Sequence, residues 1–251
     1  MSAITIGALV FGCVFGGALL GLRLRAILPH PHLSADTKDV VKLSMGLVAT
    51  MTALILGLLV ASAKGSYDTQ KSGVIQMSAK VAFLDRVLAM YGPGAAEVRT
   101  VLRLSVEDAL ARMWPDEKSQ PVRLDPSPAR ATALYHAVQK LSPTAEEQRA
   151  LKAQAIQIVM DLGQMRWLLF EQSGSSISAP LLIVVGAWLT VIFASFGLFA
   201  PANGTVVVAL MVASLSVAGC LFLILELDQP FGGVIRIPSA PMRATLEHLG
   251  N

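Results

Sequence analysis

An all-α integral membrane protein with four transmembrane helices is the fold this sequence predicts, on three observations. Of its 251 residues 54% are hydrophobic and only 15% are charged. The charges are absent from Met1 to Leu22, from Leu43 to Ala63 and from Gln172 to Leu225, and most of them fall between Lys64 and Glu171. That stretch repeats apolar residues at three- and four-residue intervals, the period of one helix face, with no alternating β-pattern of comparable length.

A helix needs about 20 apolar residues to cross about 30 Å of hydrocarbon. The first two charge-free runs each fit one crossing, while the third is too long for one. It divides at Pro201-Ala202-Asn203-Gly204, a turn sequence, into Ile177 to Ala200 and Thr205 to Leu225. The first segment has no basic residue before its apolar core and carries Arg23 and Arg25 after it, the pattern of a retained anchor rather than a cleaved signal. Cys13 and Cys220 fall inside apolar spans and read as buried small residues. The predicted organisation is transmembrane helices 1 and 2 in residues 1–63, a helical soluble region in 64–176, transmembrane helices 3 and 4 in 177–227, and a C-terminal turn and short helix in 228–251.

The second span does not obviously stop at the membrane, because Val74, Met77, Val81, Leu84, Leu88 and Tyr91 continue a helical stripe. Gly92-Pro93-Gly94 breaks it, since proline restricts the residue before it and both glycines favour turns. A helix over Ala95 to Trp114 follows, with Val98, Leu102, Ala109 and Met113 inward. Pro115 to Pro128 is a loop, and Leu134, Val138 and Leu141 mark a short helix. Thr144 is the expected cap of the next one, with Glu146 and Glu147 in its favourable first turn and an inward stripe at Leu151, Ile158, Leu162, Met165 and Leu169. Pro180 suits the first turn of the third span. A short extended piece, Gly233 to Ile237, leads to a last helix near Pro241 to Leu249.

No nucleophile elbow, Walker loop, dinucleotide fingerprint or paired His-Glu-x-x-His occurs, so no catalytic residue, cofactor site or metal site is assigned and an enzyme is not expected. His30-Pro31-His32 supplies too few ligands for structural zinc and reads as a loop. A net charge of +3 spread over a mixed-sign region does not make a nucleic-acid surface. Two features remain. Small residues at Ala8, Gly12 and Gly16, with a second set at Gly17 and Gly21, and at Gly46, Thr50, Ala53 and Gly57, let helix backbones approach closely. On the second span the same residues, with Leu54 and Leu58, read either as a packing groove or as the wall of an apolar constriction that gates by wetting. The fourth span ends on Glu226 and Asp228 and a rigid turn, Pro230-Phe231-Gly232-Gly233. Carboxylates are not the favoured charge at a helix C-terminus, so Arg236 or Arg243 is the expected counterion.

Two long stretches carry a family likeness: Ser195-Phe196-Gly197-Leu198-Phe199-Ala200-Pro201-Ala202-Asn203-Gly204-Thr205, and Leu223-Ile224-Leu225-Glu226-Leu227-Asp228-Gln229-Pro230-Phe231-Gly232-Gly233. With Asp39-Val40-Val41-Lys42-Leu43, Ala61-Ser62-Ala63-Lys64 and Leu88-Ala89-Met90-Tyr91-Gly92-Pro93, the chain resembles the bestrophin-like family of bacterial membrane proteins over nearly its whole length. The more distant bestrophins are pentameric ion channels with four membrane helices per subunit, cytoplasmic termini and an acidic-Pro-Phe-Gly sequence after the fourth helix, which Asp228 and Pro230-Phe231-Gly232 resemble. The resemblance implies a homo-oligomer in the bacterial inner membrane, in contact with lipid and with inorganic ions, whose second helices surround an axis lined by Thr50, Leu54, Gly57 and Leu58. Two departures count against carrying the whole mechanism over. Gly233-Val234-Ile235-Arg236 stands where calcium-gated members carry an acidic run, and the second span lacks the aromatic residues of their pore neck. The alternative is a non-conducting scaffold or sensor whose soluble helices bind a partner. For orientation, Arg23 and Arg25 favour a cytoplasmic loop after the first span, whereas the uncharged 201–204 tip favours the outside for that same side. The tip and the resemblance together put both termini and Lys64 to Glu171 in the cytoplasm.

Overall fold

The computed structural model describes residues 2–29, 34–115, 122, 124, 128–174 and 177–250, without the side chains of 128–131. The His30-Pro31-His32 loop and most of the Pro115 to Pro128 stretch lie outside the described residues. Those described form helices α1 (Ala3–Ile27), α2 (Ala35–Tyr91), α3 (Ala96–Met113), α4 (Pro128–Gln139), α5 (Glu146–Gln172), α6 (Ala179–Phe199), α7 (Gly204–Leu227) and α8 (Ala240–His248), with no strand among them. Four of these helices are long and apolar enough to cross a membrane: α1, α2, α6 and α7. The chain is an all-α membrane protein.

The chain divides into two units, residues 1–65 with 176–228, and residues 66–175 with 229–251. The C-terminal tail thus groups with the soluble helices. Helix α2 contributes to both units, running unbroken for 57 residues. It begins where the Ser34 hydroxyl accepts from the Thr37 N–H at 3.3 Å and ends at Gly92, whose φ of 99° is open to glycine at little cost, before a single 3-10 turn over Pro93–Ala95.

In the membrane unit α1 packs along α6 and α7. The α1–α6 crossing is a backbone-to-backbone contact. A Cβ on Gly21 would collide with the Ala194 carbonyl, one on Gly197 with the Ala18 carbonyl, and one on Gly17 would lie 2.9 Å from the Thr190 methyl. The residues α1 buries are Ala3, Gly7, Val14, Ala18 and Gly21. Of the two small-residue sets on this helix, the one containing Gly17 and Gly21 is therefore closed within the chain. Ala8, Gly12 and Gly16 lie on the other side and are exposed, so they make no close approach within the chain. Cys13 shares that bare side and is exposed, and Cys220 is half-buried, so neither is the buried residue the sequence indicated; both are free. Arg25 donates to the carbonyl of Ala200, the C-cap of α6, satisfying an otherwise orphaned acceptor at the negative end of that helix. Asn203 caps α7, its Oδ1 accepting from the Val206 N–H at 2.9 Å.

In the soluble unit one core joins Val74, Met77, Val81, Leu84, Leu88 and Tyr91 of α2 to Val98, Leu102 and Met113 of α3, Leu134 and Val138 of α4, Leu151, Ile158 and Leu169 of α5, and Ile237, Met242 and Leu249 of the tail. The expected stripes of α2 and α3 are buried throughout, Ala109 included, while in that of α5 Leu162 and Met165 are only half-buried and pack against this core. Thr144 does not cap α5. Ala145 occupies that position without a side-chain bond, and Gln148 reaches back instead, its Oε1 accepting from the Thr144 N–H at 2.9 Å. Two ion pairs tie different helices together, one between successive helices and one between α2 and α5. Arg99 meets Asp85 in a two-pronged contact at 2.8 and 2.9 Å, which raises the guanidinium pKa further, and Lys80 meets Asp161 at 2.5 Å.

Candidate functional site

The membrane half of α2 has two faces set by the helical period. Thr52, Leu59 and Ala63 are buried, and Met45, Val48, Ala49, Ile55 and Leu56 pack beside them against the unit's core. On the opposite side Gly46, Thr50, Leu54, Gly57 and Leu58 are all exposed, with Leu54 at 69% and Leu58 at 71%. A Cβ at Gly46 or Gly57 would meet no atom within 4 Å. These five residues do not form a packing groove within this chain. The face is uncharged, and the Thr50 hydroxyl donates to the Gly46 carbonyl at 2.9 Å, leaving its oxygen as the polar atom it presents. Only 11% of the α2 span is buried, against 28% for α1 and for α6 and 22% for α7. It is the crossing least satisfied by its own chain.

Helix α2 also has a bare side within the soluble unit. Ile75, Phe83 and Met90 stand on it at intervals of eight and seven residues. All three are about half-exposed or more. In the span, exposed leucine is comfortable in lipid; outside it, exposed Ile, Phe and Met are not.

At the end of α7, Glu226 and Asp228 are both only 4% exposed, and Asp228 is the C-cap, its N–H donating to the Ile224 carbonyl at 3.1 Å. Each has an interaction partner. Burial of two carboxylates at a helix C-terminus is costly and is sustained only by such partners.

The turn that follows is built into the soluble unit. Gly232 and Gly233 donate to the Gln229 carbonyl at 3.1 and 3.2 Å, and Ile237 closes the loop by donating to the Pro230 carbonyl at 2.8 Å. Phe231 is buried edge-on against Trp114, ring centres 5.9 Å apart, and the Trp114 indole N–H donates to the Ile237 carbonyl at 2.8 Å. Arg236 Nε donates to the Gly233 carbonyl at 2.8 Å, and Arg243 Nε to the Ser239 hydroxyl at 3.0 Å. The Pro230 to Gly233 turn is thus a fixed element seated on the end of α3, with Trp114 as its anchor. Sequence reasoning gave Trp114 only a place at a helix end; its spacing from Phe231 carries no periodic signal. Among the described residues no group of three His, Cys, Asp or Glu side chains is arranged to hold a metal ion.

Residues 10–242 match the family model of the Bestrophin-like domain. No curated protein and no solved structure matches the chain.

Proposed function

The chain belongs to the bestrophin-like family, and from that premise we propose that it works as a homo-oligomeric channel in the bacterial inner membrane, its α2 helices gathered around a common axis. The observation that carries the reading is the bare α2 face. Gly46, Thr50, Leu54, Gly57 and Leu58 line up opposite the stripe that packs, with room at both glycines for a neighbouring backbone. Copies of α2 arranged about an axis would turn this face inward. Leu54 and Leu58 would then form an apolar ring that passes ions only when wetted, and Thr50 would supply the one hydroxyl along it. Five copies is the number the family resemblance favours. Reconstituted protein should pass ion flux above empty liposomes, and Leu54→Ser should raise it. Flux equal to the empty control for both proteins would defeat the channel reading.

One feature favours a second reading. No ionisable group lies between Leu43 and Ala63, so a tightly closed axis would make the assembly a scaffold or sensor. A stable oligomer with a sealed axis and no flux would select it. Neither reading gives the chain an enzymatic role.

For orientation, Arg25 has a structural task at the end of α6, which weakens its use as a marker of the cytoplasmic side. The uncharged 201–204 tip then favours both termini and the 64–171 region inside. In a Cys13→Ser, Cys220→Ser background, a cysteine introduced at the exposed position Ala150 should resist an impermeant thiol reagent in intact cells; labelling there would reverse the orientation.

A further inference from the structure

Five helices of the soluble unit, α2, α3, α4, α5 and α8, line a cavity of about 120 Å³. Most of its wall is apolar, from residues such as Met77, Val81, Leu102, Leu162 and Met242. Protein interiors rarely keep voids larger than a water molecule, so a cavity of this size is an unusual thing for a small helical core to retain. Gly163 borders it from the middle of α5, where glycine weakens the helix relative to alanine, and a Cβ there would meet nothing within 4 Å. The space is kept open at the helix's expense. Trp167 also borders the cavity and is 55% exposed, so the cavity reaches the surface beside its indole.

Charge in the lining comes from Arg166, the one ionisable residue among those described there. Ser105 has already given its hydroxyl proton to the Val101 carbonyl at 2.8 Å, which leaves anion recognition to the guanidinium. Arg166 has a neighbour of its own. With five N–H donors in a rigid fork it can keep that contact, which orients it, and still receive a carboxylate. An apolar chamber with one orienting cation is the chemistry of a site for an amphipathic anion.

We propose that this cavity binds a small aliphatic carboxylate, with a body of about five or six carbons against the Met77, Leu102 and Leu162 wall and its carboxylate on Arg166. The body size follows from the volume, which is near that of apolar cavities known to admit a benzene-sized guest. The site lies within the soluble unit and stands whether or not the chain conducts.

Hexanoate and its neutral isostere hexanamide, titrated calorimetrically into the full-length protein in lipid nanodiscs, test the proposal. Hexanoate should bind saturably, hexanamide at least about tenfold more weakly, and Gly163→Leu, which fills the chamber, should abolish binding with helix content unchanged. Arg166→Gln should bring hexanoate down to the level of hexanamide. The proposal falls if hexanoate fails to bind at millimolar concentration, if both compounds bind equally well, or if Gly163→Leu leaves hexanoate binding intact. Should Arg166→Gln fail to fold, the two compounds on the unaltered protein still decide whether charge is read.

Discussion

Helix α1 and the membrane half of α2 carry similar rows of small residues, yet one row is closed against its own chain and the other is bare. On α1, Gly17 and Gly21 let the backbone come against Thr190, Ala194 and Gly197 of α6. On α2, Gly46 and Gly57 have nothing within reach of an added Cβ. The difference lies in the partner. A small-residue stripe works where the facing helix also carries small residues, and Thr190, Ala194 and Gly197 supply such a face to α1. Composition alone does not separate a stripe that closes within its own chain from one that stays bare.

Substituting within the closed row should give the largest effect. Gly21→Leu or Gly197→Leu forces a branched side chain into a backbone contact and should cost about 3 kcal/mol or more, lowering the yield and thermal midpoint of the solubilised protein. Gly12→Leu, on the bare side of α1, should leave that midpoint unchanged. If Gly12→Leu and Gly21→Leu behave alike, the distinction between the two rows fails.

The bare row should answer in assembly rather than in folding. Gly57→Leu has room within the chain, so helix content and thermal midpoint should hold, while the oligomer should dissociate at protein concentrations at least about tenfold higher than the unaltered one does. Analytical ultracentrifugation in detergent reads both. An unchanged mass distribution would mean that the α2 face meets only lipid.

A smaller effect is expected at the end of α7, where Asp228 is buried but belongs to neither row. Asp228→Asn keeps the shape and removes the charge, leaving its partner less well satisfied at a cost of about 1 kcal/mol. Loss of stability with the oligomer intact would make Asp228 a strut of the subunit. Loss of assembly at constant stability would tie it to the α2 face.

The smallest effect should come from Lys80 and Asp161, far from either row. The Lys80 ammonium holds the Asp161 carboxyl below its usual pKa. Its stabilisation is therefore present above the ordinary carboxylate range, near ~4, and is lost as pH falls through the lowered value. Because the side chains are 37% and 33% exposed, solvent screens most of it. Lys80→Met should flatten the acid side of a plot of thermal midpoint against pH slightly, and leave the neutral side nearly unmoved.

Much of this architecture is written in local pattern. The four spans, the helical stripes and the continuation of α2 past the membrane all follow from charge-free runs and a three-to-four spacing, which a chain must show if those faces are buried. The features that escaped depend on pairs distant in sequence. Gly21 with Ala194, Arg25 with Ala200, Trp114 with Ile237 and Asp85 with Arg99 have no spacing rule that links them. Arg25 shows the hazard well: as a residue in a list it votes on topology, and in space it finishes a neighbouring helix. The cysteines were misjudged for a related reason, because an apolar span has a bare side as well as a buried one.

Helix α2 also sets a rule about length. In the soluble core one stripe of its buried residues, Gln70, Val74, Met77, Val81, Leu84 and Leu88, recurs at intervals of four or three. One residue inserted between Val74 and Val81 would turn the helix beyond it by about 100°, so that the rest of the stripe would leave the face that the soluble core packs against. Seven or eleven inserted residues, about two or three whole turns, would nearly restore the phase. That stretch of α2 is therefore less tolerant of a change in how many residues it has than of a conservative change in what they are.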